Sequence, residues 1–202
     1  MKNVGILALQ GGVSEHASMV ESMGARPVWI RQIKDIAPVE SDGIIHFENT
    51  FLDAIILPGG ESTTMWKLLN LFNLVTPLRT LISSGIPTLG TCAGVITLAQ
   101  DILNKQNGQE SLGVLDIIVD RNAFGSQIAS EEVNLDTTWG SIRASFIRAP
   151  RIAQLTENSR AEVAATYKGE IVCVHQNNII GASFHPELTG DTLLHEQLLK
   201  KI

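Results

Sequence analysis

The sequence is poor in the features that mark nucleic-acid-binding or disulfide-stabilised proteins. Among its 202 residues it has 2 cysteines, and its 15 lysines and arginines are scattered instead of forming a run. A nucleic-acid-binding surface needs a basic patch, so this distribution and a net charge of −6 favour a small polar substrate. With 44% hydrophobic residues, a chain of this length can bury a normal core without disulfide bonds. We therefore expect one domain over residues 1–202.

The apolar run at the start of the chain is short, and the common nucleotide and metal motifs are missing. Residues 1–12, MKNVGILALQGG, have neither the length of a membrane span nor the cleavage site of a secretory signal. The phosphate-binding patterns G-x-x-x-x-G-K-[ST] and G-x-G-x-x-G do not occur, and neither do the metal-ligand spacings C-x-x-C and H-E-x-x-H. We expect a soluble, cytosolic protein without a nucleotide or metal site.

Strand and helix patterns alternate in the first half of the chain, whereas strand patterns dominate the second. The first half has predicted strands at 4–9, 27–30, 54–57 and 86–89 and predicted helices at 13–23, 65–71 and 95–103. The second half has predicted strands at 113–119, 145–147, 162–167, 171–174 and 179–184. The alternation predicts βα units on a parallel sheet, whereas the run of strands in the second half predicts that part of the sheet is antiparallel. Residues 176–178 are typical of a hairpin turn between the last two of these strands. Residues 35–52 are equally compatible with an extra strand and with a long loop.

A cysteine lies between two glycines where a predicted strand gives way to a helix. In the segment GTCAG at 90–94, the glycines permit the sharp strand-to-helix turn of a nucleophile elbow. At the start of a helix the peptide dipoles favour the thiolate, which is the reactive form of cysteine. The pattern predicts that Cys92 is a nucleophile. The alternative is an inert buried cysteine, which is the interpretation we give to Cys173 inside a predicted strand.

A histidine and a glutamate two residues apart provide a candidate base for this nucleophile. In extended chain His185 and Glu187 share a face, so the carboxylate could hold the imidazole in the tautomer that accepts the thiol proton. Pro186 between them suits the end of a strand. The spacing alone is a weak signal, and His175 in the preceding strand is a competitor. The remaining histidines lack a carboxylate at strand spacing; they are His16, His46 and His195.

A Gly-Gly turn between a predicted strand and a helix start rich in serine and threonine predicts a third part of the site. Residues 55–64, IILPGGESTT, would leave backbone N–H groups unpaired at the beginning of the helix, which makes an anion cradle. Beside a cysteine nucleophile, the N–H groups of Gly60 and Ala93 would form an oxyanion hole. An ordinary helix cap is the alternative interpretation.

Together these features resemble those of class I glutamine amidotransferases, and finer motifs narrow the resemblance to the glutaminase subunits of pyridoxal 5'-phosphate synthase. The motifs are LQG at 9–11, EH at 15–16, LPGGESTT at 57–64, GTCAG at 90–94, RNAFG at 121–125, FIRAP at 146–150 and FHPELT at 184–189. They span nearly the whole chain, and LPGGESTT with FIRAP separates this branch from the glutaminases of histidine or purine synthesis. The resemblance implies a three-layer α/β/α sandwich with a mixed, mostly parallel sheet.

The resemblance also implies a mechanism and a partner. Cys92 would attack the side-chain amide of glutamine, with His185 and Glu187 moving and orienting the proton. L-Glutamine would be bound by Gly60, Glu61, Ser62, Arg121, Ile147 and Arg148. An arginine fork can pair with the α-carboxylate of glutamine. The ammonia would pass to a synthase subunit that forms a double-ring core and builds pyridoxal 5'-phosphate. The glutaminase chain itself would need no cofactor.

The sequence departs from the family pattern in two places, and two rival functions stay open. Ser126 stands where the family usually has arginine, which puts a charge contact there in doubt, and the segment between Ile30 and Ala54 is longer than usual. A stand-alone cysteine peptidase or redox-stress protein would share the elbow, but it would not explain FHPELT, RNAFG and FIRAP together. A catalytically inactive regulatory domain usually loses the nucleophile or the base, and both are present here.

Overall fold

In the computed structural model, which describes residues 1–37, 50–121 and 131–202, strands and helices alternate along the first half of the chain. The strands are β1 (Asn3–Leu7), β2 (Arg26–Ile30), β3 (Ala54–Leu57), β4 (Thr88–Thr91), β5 (Ala99–Leu103), β6 (Leu115–Asp120), β7 (Glu131–Thr137), β8 (Gly140–Phe146), β9 (Arg151–Leu155), β10 (Glu162–Tyr167), β11 (Glu170–Gln176) and β12 (Ile179–Ala182). The helices are α1 (Val13–Ser22), α2 (Ser62–Leu71), α3 (Val75–Ser83), α4 (Ala93–Leu98), α5 (Pro186–Thr189) and α6 (Leu193–Leu199), with a 3-10 turn at Ile33–Asp35. Most of the segment 35–52, whose structure the sequence left open, lies outside the described residues.

One large sheet organises these elements in the strand order β2-β1-β3-β4-β12-β11-β9-β6-β5, with β10 added on β11. From β2 to β12 every pair of neighbouring strands is parallel. Strands of a parallel sheet are covered on both faces, and every residue of β3 and β4 is buried. Because β1, β3, β4 and β12 run in the same direction, the loops that follow them meet at one edge. Ligands bind at such an edge in open α/β sheets.

The other half of the sheet is mainly antiparallel. Strand β11 pairs antiparallel with β12, β10 and β9, and β9 pairs antiparallel with β6. The predicted hairpin is present, because Asn177 has a φ of 50° and Gln176 pairs with Ile179. A separate two-stranded ribbon is formed by β7 and β8. The prediction of a mixed sheet is therefore confirmed.

Apolar side chains pack on both faces of the large sheet, which gives the predicted three layers. The helices on one face bury Met65, Leu69, Leu78 and Val95. The helices on the other face bury Ala17, Val20, Leu194 and Leu198, beside Leu135 and Ile142 of the β7–β8 ribbon. None of the described helices is long and apolar enough to cross a membrane.

Two local predictions are wrong. The helix predicted over residues 95–103 ends at Leu98, because Ala99 adopts an extended conformation (φ −53°, ψ 154°) and the chain then pairs with β6 as strand β5. Pro186 does not end a strand, because β12 ends at Ala182 and Pro186 begins the short helix α5. Proline is favoured at the first helical position, where its N–H would have no helical partner.

Candidate active site

Cys92 lies at a strained turn between β4 and α4. Its backbone has φ 48° and ψ −107°, a conformation that costs a non-glycine residue on the order of 1–3 kcal/mol. The Cys92 N–H donates a 2.8 Å hydrogen bond to the carbonyl oxygen of Ala182, which ties the turn to β12. Glycine is required at position 94, because a Cβ there would lie 1.9 Å from the carbonyl oxygen of Leu57. The chain thus forms the sharp turn that the G-x-C-x-G pattern predicts.

His185 lies next to Cys92 and is held by Glu187. Imidazole Nδ1 lies 2.7 Å from Glu187 Oε1, and the His185 N–H donates to the carbonyl oxygen of Ser145 at 2.8 Å. Burial lowers the pKa of His185, but hydrogen bonds with Cys92 and Glu187 outweigh this effect and raise the pKa to about 10. A protonated imidazole beside a cysteine favours the thiolate. Glu187 reaches His185 from the first turn of α5, and not along an extended strand as the sequence suggested.

The competing cysteine and histidine lie elsewhere. Cys173 is fully buried in β11, and burial raises the pKa of its thiol to about 12, so it stays protonated and unreactive. His175 lies 3.7 Å from Glu162 Oε2, and its ring is 5.3 Å from that of Trp139. Neither residue lines the cavity beside Cys92.

The Gly-Gly loop after β3 packs directly against the imidazole. A Cβ at Gly59 would lie 2.2 Å from His185 Cε1 and 3.2 Å from Cys92 Cβ. Any larger residue would push the histidine away from the cysteine. The first glycine of the pair is therefore required by the position of the candidate base.

The start of helix α2 differs from the anion cradle predicted from the sequence. The Glu61 side chain accepts hydrogen bonds from the N–H groups of Thr63 and Thr64 at 2.9 and 2.7 Å. These two N–H groups are capped by the protein itself, so an anion has no need to satisfy them. The N–H groups of Gly60 and Ala93 keep their place as candidates for an oxyanion hole, because Gly60 lines the same cavity as Cys92 and Ala93 follows Cys92 in the chain.

A cavity of about 450 Å³ opens beside Cys92, which is within the usual size range for a small-molecule site. Its described lining consists of Gly60, Glu61, Ser62, Cys92, Ile96, Arg121, Arg148 and Pro150. All predicted glutamine-binding residues except Ile147 belong to this lining. Ile147 is 37% exposed, and the residue after it turns back with a φ of 45°.

Glu61 and Arg121 place opposite charges in this cavity. Arg121 Nη2 lies 3.3 Å from Glu61 Oε1. Partial burial raises the pKa of Glu61, but hydrogen bonds from Thr64 and Thr63 outweigh it and lower the pKa to about 2, so the carboxylate is ionised at neutral pH. A free α-amino acid carries one cationic and one anionic group. The guanidinium suits its α-carboxylate and the Glu61 carboxylate suits its α-amino group.

Two polar residues near the site were missed by the sequence analysis. Gln109 is 3% exposed; its Oε1 accepts from Arg121 Nη1 at 3.1 Å and its Nε2 donates to Ser62 Oγ at 3.0 Å. His16 was not considered as a candidate base because no carboxylate lies two residues from it in a predicted strand. In the structure its Nε2 lies 3.5 Å from Glu187 Oε2. Both come from distant parts of the chain. His16 belongs to the EH motif at 15–16, but nothing in that motif indicates its approach to Glu187, and none of the motifs includes Gln109. Residues 122–125 of RNAFG, Ser126 and His46 lie outside the described residues.

Comparison with protein families and with curated sequences finds similarity over nearly the whole chain. The model of the SNO glutamine amidotransferase family matches residues 6–202. A protein of Kosmotoga olearia, described as pyridoxal 5'-phosphate synthase subunit PdxT, is 42% identical over 205 residues, which cover 98% of this chain and 97% of that protein. A Corynebacterium glutamicum protein with the same description is 44% identical over 201 residues, which cover 97% of this chain and 94% of that protein.

Comparison with solved structures finds the same architecture. A crystal structure of a glutamine amidotransferase is 38% identical and has a TM-score of 0.84. The superposition covers 98% of this chain and 97% of the solved chain. The structure of PurLQS from Thermotoga maritima has a TM-score of 0.64 at 15% identity, covering 100% of this chain and 96% of its own, and shares the fold. The predicted α/β fold with a mixed sheet is thereby confirmed.

Proposed function

Because the chain belongs to the SNO glutamine amidotransferase family, we propose that it is the glutaminase subunit of a pyridoxal 5'-phosphate synthase. It hydrolyses L-glutamine to L-glutamate and ammonia and supplies the ammonia to a synthase subunit. The family resemblance expected from the sequence motifs is confirmed. The observation that carries the chemistry is that Cys92 and His185 pack together against Gly59, with the imidazole in turn held 2.7 Å from Glu187.

The three side chains support a covalent mechanism in two halves. In the first, Cys92 Sγ attacks the amide carbon to form a tetrahedral adduct, His185 gives its proton to the leaving nitrogen, the C–N bond breaks, and ammonia departs, which leaves a thioester on Cys92. In the second, His185 takes a proton from water, which attacks the thioester and releases glutamate and the thiol. Glu187 orients the imidazole and stabilises its positive charge.

Both attacks place negative charge on the former amide oxygen. We assign its stabilisation to the N–H groups of Gly60, which lines the cavity with Cys92, and of Ala93, which follows Cys92 in the chain. Removing one such donor typically lowers kcat by about 10²- to 10³-fold. A loop that turns the Gly60 N–H towards or away from the oxygen would therefore control the rate.

Arg121 gives a prediction about glutamine binding. Replacing it with alanine removes the guanidinium that we assign to the α-carboxylate, and hydrogen bonds to charged groups are worth about 1.5–3 kcal/mol. We expect KM for L-glutamine to rise by about 10- to 100-fold, with a smaller change in kcat. Steady-state glutamate release at varied glutamine concentration measures both constants. Arg160, which pairs with Asp116 outside this cavity, offers the control, and equal KM values for Arg121→Ala and Arg160→Ala would contradict the assignment.

The partner gives a second prediction, which also tests the function itself. A glutaminase working alone would waste glutamine, so we expect the free chain to be slower than its complex with the synthase subunit by about 10²- to 10³-fold, the effect of one oxyanion donor. Gln10, in the loop after β1, donates its amide to the Glu61 carbonyl oxygen and so links that loop to the Gly-Gly loop. The measurement is ammonia release from L-glutamine by the free chain, by the complex and by a Gln10→Ala complex.

The outcomes of this experiment separate the proposals. A free chain as fast as its complex would contradict activation by the partner. A Gln10→Ala complex as fast as the wild-type complex would show only that Gln10 is not needed for this activation. No ammonia from either form would contradict the glutaminase function and favour a peptidase or an inactive regulatory domain. We also propose a cytoplasmic location and a single domain over 1–202, which the family match over residues 6–202 supports.

A further inference from the structure

A buried polar cluster lies beside Glu187 and is not part of the described lining of the cavity. His16 of α1 and His195 of α6 are both 0% exposed, and His16 Nδ1 lies 2.8 Å from His195 Nε2. On its other side, His16 Nε2 lies 3.2 Å from Thr91 Oγ1 and 3.5 Å from Glu187 Oε2. The mechanism above uses neither histidine.

The two carboxylate oxygens of Glu187 differ in their hydrogen bonding. The side chain of Glu187 is 0% exposed, and its Oε1 is bound by His185. Its Oε2 has no hydrogen bond within the described residues. A buried carboxylate oxygen without a donor is costly, and His16 Nε2 at 3.5 Å needs only a small shift to supply one.

The protonation states of the two histidines follow from their surroundings. Burial, together with the neighbouring His195 and His185, lowers the pKa of His16 well below its usual value. Burial also lowers the pKa of His195 to about 4. Both rings are therefore neutral at pH 7, and each carries one N–H.

Two tautomer arrangements fit the contact between the rings, and only one suits Glu187. If His16 Nδ1 donates to His195, the lone pair of His16 Nε2 can accept from the Thr91 hydroxyl but also faces the anionic oxygen of Glu187, and His195 keeps a buried Nδ1–H without a partner among the described residues. If His195 Nε2 donates to His16 Nδ1, the N–H of His16 Nε2 faces Glu187 and Thr91. In the second arrangement the ring atom left unpaired is the acceptor His195 Nδ1, which is less costly than an unpaired buried N–H.

We propose that His16 is a positioning residue that donates from Nε2 to Glu187 Oε2, with His195 fixing its tautomer. The inference rests on the proposed function, because Glu187 is the group that orients the catalytic imidazole. Holding both oxygens of the carboxylate fixes its rotation and so keeps Oε1 aimed at His185 Nδ1. Helix α1 thus becomes part of the active site although it does not touch the cavity.

A matched pair of variants isolates the N–H donor. In His16→Gln the amide nitrogen occupies the place of Nε2 and keeps a donor towards Glu187, whereas His16→Met has a similar length and shape without one. Both are assayed for glutamate release from L-glutamine as complexes with the synthase subunit. We expect kcat of His16→Met to fall on the order of 10-fold below that of His16→Gln, the worth of one hydrogen bond to a charged group. KM stays the same, because His16 does not touch glutamine.

Thermal unfolding of both variants separates a positioning role from a purely structural one. A purely structural role would lower Tm without lowering kcat selectively at constant KM. Equal kcat values for the two variants, whether retained or lost, would overturn the proposal. If neither variant folds, the ¹⁵N-histidine NMR spectrum of the unmodified chain decides. It should show His16 protonated at Nε2 and unprotonated at Nδ1, and the opposite tautomer would overturn the proposal. A wild-type complex that releases no glutamate would instead contradict the proposed function, and the tautomer would still be measurable.

Discussion

Replacing Cys92 with alanine is expected to abolish glutamine hydrolysis, with kcat falling by about 10⁶-fold, as when the nucleophile of a catalytic triad is removed. No other described group can form the thioester, because Cys173 is fully buried with its pKa raised to about 12. The measurement is glutamate release by complexes with the synthase subunit, after binding of each variant to that subunit has been verified.

The control for this experiment is the second cysteine. Cys173→Ala should keep most of the wild-type rate, because the side chain packs in β11 away from the cavity and its loss changes only core packing. A Cys92→Ala complex that hydrolyses glutamine as fast as wild type would exclude the thioester mechanism. Loss of activity in Cys173→Ala with an unchanged Tm would show that the wrong cysteine was assigned.

Replacing His185 with asparagine is expected to lower kcat by about 10²- to 10⁴-fold, the usual contribution of positioned proton transfer. The imidazole has two tasks, because it holds the proton that leaves Cys92 and later delivers it to the leaving nitrogen. Glu187→Gln should lie between this variant and wild type, since an amide can still orient the ring but cannot stabilise its positive charge. Glutamate release at saturating glutamine measures all of these rates.

His175→Asn is the matched control for the base. It removes an imidazole whose ring is tilted against Trp139 and lies 3.7 Å from Glu162, and which is not part of the described lining of the cavity beside Cys92. We expect it to retain nearly the full rate. Equal rates for wild type and His185→Asn would rule out His185 as the proton carrier, whereas a strong loss in His175→Asn would point to the competitor that the sequence left open.

The elbow could be predicted from the sequence because its constraints are local. A cysteine between two glycines, after a strand and before a helix, specifies a turn in which Gly94 approaches Leu57 and Cys92 is strained. The same holds for the Asn177 hairpin, where a positive φ is a property of the residue itself. Such features need no knowledge of the rest of the fold.

The pairing of His185 with Glu187 was predicted for a reason that proved wrong. Spacing in an extended strand suggested it, but Pro186 starts a helical turn, and the contact arises from the geometry of that turn. Strand and helix can both bring residues two apart within reach at an element boundary, and boundaries are the least certain part of a sequence-based assignment.

The residues that support the site could not be predicted, because they are brought there only by the fold. Gln109 follows β5 and accepts a hydrogen bond from Arg121, which lines the cavity, and His16 reaches Glu187 because α1 packs beside α5. Each is a single polar residue without a motif in the residues around it that specifies its contact. The helix predicted at 95–103 failed for a similar reason, since pairing with β6 overrode the local helical pattern.

The most direct test of the central claim is to find the covalent bond. The complex is incubated with a glutamine-like electrophile, with and without excess L-glutamine, and the modified peptide is located by mass spectrometry. We expect one adduct on Cys92, suppressed by L-glutamine and absent from Cys92→Ala. An adduct on Cys173, or labelling of Cys92 that L-glutamine does not suppress, would contradict it.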